Sequence, residues 1–385
     1  MPASRPGWTR LLRREGPEFL KWIRENKVLS RGFDALADAL ESLLRRDIRA
    51  PEDAGDVWNA VPAVLSRCNE QATYEMPRAA WAYAWLHLLD RYVRTWMALE
   101  HLVDVNCIPM GKVGVHALDV GTGPGSSSLA ILDFYAAMVE FSEQVGNSKW
   151  RQPASLTCVE SSATTNNVRH HLAEIMYEQS HRQSPAAFAM ANALPDFGAI
   201  MPTHERKQRF EYLRYLEEEY FNPEIDGWDS HLLHLPEEAD YMSQSLHRYR
   251  LFVFSNFLTT RDMPADFRPN LVDILNDAQP GSVLLLLGGK SEPYPAIYKS
   301  VDGMAEPAGF QKMPGKVVSS EDSEVADRVY TEGKAFYEYL QRLAPNTHNE
   351  TRCVREHFEG SRRRAPTSQL RAYRKYRHTR KQSGG

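Results

Sequence analysis

The segment Leu118-Asp119-Val120-Gly121-Thr122-Gly123-Pro124-Gly125-Ser126 constrains this chain more than any other. It closes a short apolar run that begins at Val113, and the helix-period stretch Leu129–Phe141 follows it. Glycines at 121, 123 and 125 tolerate positive φ and allow the backbone to turn tightly against a ligand. The order is strand, glycine turn, helix. A helix starting near Ser126 would point its free N–H groups and positive dipole end into the turn. Such a unit belongs to a doubly wound α/β sheet, whose ligands lie outside the carboxyl ends of the strands.

Other segments fit the same sheet. Ser155–Glu160 reads as a second strand ending in an acid, and Thr165–Ser180 as a helix. Arg250–Phe254 and Ser282–Leu287 are unbroken apolar runs, as expected of strands buried on both faces. The third strand is assigned to Ser230–Leu235, which leaves conventional spacing to Arg250 and makes 181–228 a helical insertion. A strand near Phe188–Ala193 is the alternative.

Residues 1–110 read as a helical subdomain. Phe33, Leu36, Leu40, Leu43 and Leu44 line one helix face. Trp81, Trp85, Leu88, Leu89, Tyr92, Trp96, Leu99 and Val103 line another. That aromatic stripe reads as packing, with a pocket wall as the other reading. The chain therefore divides into 1–110, a Rossmann-like α/β domain at 111–345, and a basic C-terminal extension at 346–385.

Composition excludes several classes. Mean hydropathy is −0.50, and the longest aliphatic run is Val283–Leu287, far below the ~20 residues of a membrane helix. The N-terminal stretch has no apolar core of signal-peptide length, so a cytoplasmic protein is expected. The four cysteines contain no CxxC pair, which argues against a zinc site.

The ligand is read from the acids beside the turn. A dinucleotide fingerprint is G-x-G-x-x-G with its ribose acid about 20 residues on. Here Ser126 stands where the third glycine belongs, and the next strand-end acid is Glu160. Asp119 would repel a pyrophosphate but suits a ligand with an ammonium group, and Glu160 can accept from both hydroxyls of a ribose. These features describe S-adenosylmethionine better than a nicotinamide dinucleotide. The segment LDVGTGPGSSSLA resembles motif I of the class I S-adenosylmethionine-dependent methyltransferases, and Cys158-Val159-Glu160 looks like their second motif. The resemblance spans about Val113–Gly289. It implies that Gly121, Thr122, Gly123 and Gly125 cradle the cofactor, with Asp119 near its methionine part and Glu160 on its ribose.

The acceptor is not written in any motif. The fourth strand ends Ser255-Asn256-Phe257-Leu258, without the N/D-P-P-Y/F of amino-directed members. Asn256 and Lys290, at the ends of the fourth and fifth strands, are the substrate candidates, and no catalytic residue stands out. The C-terminal residues Arg362, Arg363, Arg364, Arg371, Arg374, Lys375 and Arg377 interleave with Tyr373 and Tyr376. That pattern suits a nucleic-acid contact, with a solvated tail or one docked on its own acidic body as the other reading. The expected function is methyl transfer to RNA or a small molecule. The alternative is a non-catalytic binder or scaffold that kept the fold.

Overall fold

The computed structural model describes residues 7–67, 71–111, 114–180, 191–200, 202–205, 208, 249–345 and 367–376. Five helices come first: α1 (Gly7–Glu25), α2 (Val28–Asp47), α3 (Pro51–Arg67), α4 (Gln71–Glu75) and α5 (Ala79–Asp104). In α2, all five residues of the expected stripe are buried. The long α5 is buried on most sides because it lies between the other helices and α6 (Ser126–Val145).

An eight-stranded sheet follows. It comprises β1 (Val115–Val120), β2 (Ala154–Val159), β3 (Ala191–Leu194), β4 (Leu251–Ser255), β5 (Val283–Gly288), β6 (Phe310–Lys312), β7 (Lys316–Val318) and β8 (Ser368–Lys375). The order is β3-β2-β1-β4-β5-β8-β6, with β7 also paired to β8. Strands β1 to β5 are mutually parallel where they pair, and β8 runs antiparallel to β5. This is a doubly wound, Rossmann-like α/β architecture with one antiparallel strand inserted near an edge.

Strand periodicity sorts the side chains into two cores. Ala117, Leu251, Val253, Val283, Leu285 and Leu287 join one core with the N-terminal helices, α6 and α7 (Ala163–Ser180). Leu118, Val120, Phe252, Phe254, Leu284 and Leu286 join a second core with the helices Arg268–Asp277 and Tyr294–Ala305. The N-terminal helices therefore form a layer of the α/β unit, continuous with one face of its sheet.

Two expectations are corrected. The third strand is Ala191–Leu194, paired in parallel with Leu156–Val159. Ser230–Leu235 lies outside the described residues, so the strand falls where the alternative reading put it, and the long interval comes after it. The expected insertion at 181–228 therefore does not lie between β2 and β4 as one block: β3 interrupts it. A four-residue edge strand carries too little periodicity to stand out from its surroundings.

The C-terminal extension is corrected more sharply. Residues 368–375 form β8, inside the sheet between β5 and β6. Arg374 is buried and donates to Asn106 O and Thr9 Oγ1. Lys375 Nζ donates to Leu275 O at 2.6 Å and Asn276 O at 2.9 Å, carbonyls at the end of the helix Arg268–Asp277. The Arg371 guanidinium stacks 4.4 Å from the Tyr298 ring centroid, and the Tyr373 hydroxyl donates to Asp302. Three of the seven cations assigned to a nucleic-acid contact are thus held within the fold. Arg362, Arg363, Arg364 and Arg377 lie outside the described residues. At these three positions long basic side chains bury their stems in the fold while their heads reach carbonyls, a hydroxyl and an aromatic ring.

Deletion of residues 361–385 should therefore abolish the cooperative thermal melt, because it opens β5 and strips β6 and β7 of their partner. Circular dichroism melting of the truncated chain checks this. A melt like that of the parent would mean that β8 is dispensable.

Candidate functional site

The site is built on the end of β1. Gly121 N and Thr122 N both donate to Val159 O, at 2.9 and 3.1 Å, which folds the turn back onto β2. Gly121, Gly123 and Gly125 take φ of 69°, 58° and 102°, the left-handed region that only glycine occupies without strain. A Cβ on Gly121 would lie 2.7 Å from the Phe257 ring, so the segment after β4 is pressed directly against the turn. Thr122 is buried, and its hydroxyl donates to Asp119 O. Its role is to close the turn.

Glu160 follows β2, and its position is fixed by the backbone. Its Oε2 accepts from Gly123 N at 2.8 Å and its Oε1 from Ser162 N at 2.9 Å. Asn166 Nδ2 donates to the Glu160 carbonyl at 2.8 Å, anchoring the start of α7. Each carboxylate oxygen has a second lone pair available, so the group can still accept from a diol.

Asp119 lies deeper than Glu160. Strand parity turns it to the face carrying Ala117, beneath the first turn of α6, and it is fully buried. Ser128 Oγ donates to Oδ2 at 2.6 Å, while Oδ1 has no hydrogen-bond partner. Burial pushes its pKa up to about 7. The Ser128 hydrogen bond and the Arg169 charge oppose this rise, and Glu160 adds to it.

The remaining candidates separate. Asn256 adopts a left-handed φ of 54° and donates its N–H to Leu287 O at 2.8 Å, which ties the ends of β4 and β5 together. Through its neighbour Phe257 it lies against the glycine turn. Lys290 is exposed, one strand further along. The adjacent Gly288 and Gly289 leave room for the Tyr294 ring, with added Cβ atoms 2.6 and 2.5 Å from it, so their close approach is to the chain itself.

Two features were not singled out in the sequence. Tyr83 on α5 covers the turn, its Cε1 3.5 Å from where a Gly123 Cβ would be. His87 meets the Tyr83 ring edge-on at 5.1 Å and Arg91 stacks on it at 4.7 Å. The aromatic stripe of α5 is packing, with Trp96 fully buried, and Tyr83, which lies outside that stripe, covers the candidate site. The second feature is Arg169, buried in the α7 stripe Thr165, Val168, Leu172 and Met176. A charge inside an apolar helical stripe was the available signal. A separate cleft lined by Leu40, Trp85, Glu332 and Phe336 includes none of the turn residues. Among the described residues, no group of His, Cys, Asp and Glu could hold a metal ion, and no helix is long and apolar enough to cross a membrane.

No protein-family model matches the chain, and no curated protein matches it. Among solved structures it is similar to phosphoethanolamine N-methyltransferase 2 of Haemonchus contortus in complex with S-adenosyl-L-methionine, at 12% identity and a TM-score of 0.39. That match covers 83% of this chain, which spans 60% of the other. It is also similar to a SAM-dependent methyltransferase of Methanosarcina mazei, at 9% identity and a TM-score of 0.31, over 69% of this chain and 95% of that one. A third similar structure is the [4+2]-cyclase SpnF, at 13% identity and a TM-score of 0.34, over 69% and 76% of the two chains. Likeness of this order assigns neither a ligand nor a reaction.

The raised pKa of Asp119 has a definite sign. The folded chain holds this proton more tightly than the unfolded chain, where aspartate titrates near 3.8. Ionised Asp119 therefore destabilises the fold, fully above about pH 7, and the penalty fades as pH falls toward the unfolded value. Asp119→Asn keeps an acceptor for Ser128 and removes the charge. The ligand-free variant should melt about 2 °C or more above the parent at pH 8, with the gap shrinking toward pH 5. Buried Asp133 also titrates near 6, but it is common to both chains. Melting curves from pH 5 to 8 check this, and a gap independent of pH would refute the assignment.

Proposed function

We propose that the chain binds S-adenosylmethionine at the glycine turn and transfers its methyl group to a small acceptor held beneath α5. The observation that carries the reading is the lock between Glu160 and Gly123 N–H. It sets a diol-accepting carboxylate and a left-handed glycine cradle in one rigid unit, at the carboxyl edge of β1 and β2.

The residues fit the cofactor in three further respects. Glu160 keeps lone pairs for the two ribose hydroxyls. Asp119 sets a buried carboxyl behind the turn, with one oxygen still unpartnered; a cationic ligand would favour its ionised form, whereas a pyrophosphate would oppose it. Ser126 opens α6 where a dinucleotide site would have its third glycine. The resemblance of LDVGTGPGSSSLA to motif I points the same way.

When bound, the cofactor supplies an electrophilic methyl group on a sulfonium. The chain has to orient the acceptor in line with that methyl and to exclude water. Tyr83, packed over Gly123, does the second, and with His87 and Arg91 it walls the approach to the turn. Such a displacement needs no strong base when the acceptor is already nucleophilic. A small acceptor is favoured over RNA because three of the seven basic residues, Arg371, Arg374 and Lys375, already have partners in the chain itself.

Calorimetric titration of the purified chain tests the reading. S-adenosylmethionine and S-adenosylhomocysteine should bind with micromolar affinity and NAD should not. Glu160→Gln should weaken both by about tenfold, the loss expected for a charged hydrogen bond made neutral. Binding of NAD, or of none of the three, would overturn the assignment.

A further inference from the structure

Arg169 is the least satisfied buried charge near the turn. The residue is 7% exposed, and its one hydrogen bond to a side chain runs from Nη2 to the neutral Asn166 Oδ1 at 2.9 Å. Its Nε has no hydrogen-bond partner, and among the described residues no carboxylate forms an ion pair with it. Other buried arginines are better served. Arg94 has the Asp90 carboxylate, and Arg374 has two oxygen acceptors. A guanidinium removed from water without a counter-ion is costly, so its retention needs a reason.

The location suggests one. A Cβ on Gly125 would lie 3.2 Å from Arg169 Cγ, so the side chain packs against the residue that starts α6. The first N–H groups of this 20-residue helix have no intrahelical acceptors; that of Ser128 is taken by the Asp119 carboxylate, and those of Ser126 and Ser127 precede it in the same turn. Asp119 lies within electrostatic reach of Arg169 but forms no ion pair with it, and its Oδ1 is also unpartnered. A buried cation and a buried anion, each with an unused polar atom, thus flank one end of the turn. That is the charge pattern of a receptor for an α-amino acid, whose carboxylate and ammonium carry the opposite pair.

We propose that Arg169, with the first turn of α6, binds the α-carboxylate of the ligand's amino-acid part, while Asp119 balances its ammonium. This rests on the S-adenosylmethionine reading and adds a binding residue to it.

The test is calorimetric titration of the full chain with S-adenosylhomocysteine and with 5′-methylthioadenosine, which keeps the adenosine and thioether but lacks the amino-acid part. Arg169→Lys and Arg169→Gln should each bind S-adenosylhomocysteine at least tenfold more weakly and 5′-methylthioadenosine with parental affinity. Equal losses for the two ligands, or no loss for either, would overturn the proposal. A measurement in the parent chain stands independently of how the variants fold. Decarboxylated S-adenosylhomocysteine should bind at least tenfold more weakly than the intact ligand, and equal affinity would also overturn the proposal. If the parent binds neither S-adenosylhomocysteine nor 5′-methylthioadenosine, the cofactor reading itself falls, and this inference with it.

Discussion

One carbonyl anchors the site. Val159 O accepts from both Gly121 N and Thr122 N, and this pair of bonds decides where β1 stops. Everything at the carboxyl edge is indexed to that point. The turn begins there, so Asp119 points beneath α6, Glu160 stands beside Gly123, and the first turn of α6 closes the crevice from one side. Were β1 to slip by one residue against β2, strand parity would send the carboxylate at 119 to the opposite core.

The same edge trades stability for charge. Asp119 is fully buried with one unpartnered oxygen, and Arg169 is buried with one neutral partner. Neither would be retained in a core selected for stability alone, since unpaired buried charge is among the more expensive features a fold can hold. The surroundings absorb this. The strands β1, β4 and β5 are buried along their whole length, and two apolar cores press on the sheet from either side.

The ends of the chain meet on that scaffold. The N-terminal helices share a core with one face of the sheet, and β8 returns from the C-terminal region to complete it. A buried polar group joins them: Arg94 on α5 pairs with Asp90 and donates to Ser368 at the start of β8, and Ser320 Oγ donates to Asp90 Oδ1 at 2.6 Å. Because α5 also carries Tyr83 over Gly123, one helix both roofs the site and anchors the start of β8.

The sequence alone determined the parts whose information is local. Glycines at 121, 123 and 125 meet a requirement for positive φ that no other residue meets cheaply, so the turn, the strand before it and the helix after it were legible. Unbroken apolar runs at 251–254 and 283–287 marked central strands for the same reason: burial on both faces leaves no polar positions. Tertiary structure alone decided the rest. Ala191–Leu194 is a strand only because β2 offers it an edge. Ser368–Lys375 reads as a basic tail, yet it is a strand because β5 and β6 supply partners and Leu275, Asn276, Asn106 and Thr9 receive its cations. Arg169 and Tyr83 likewise reach the turn through the packing of α7 and α5, contacts across tens of residues that no local pattern encodes.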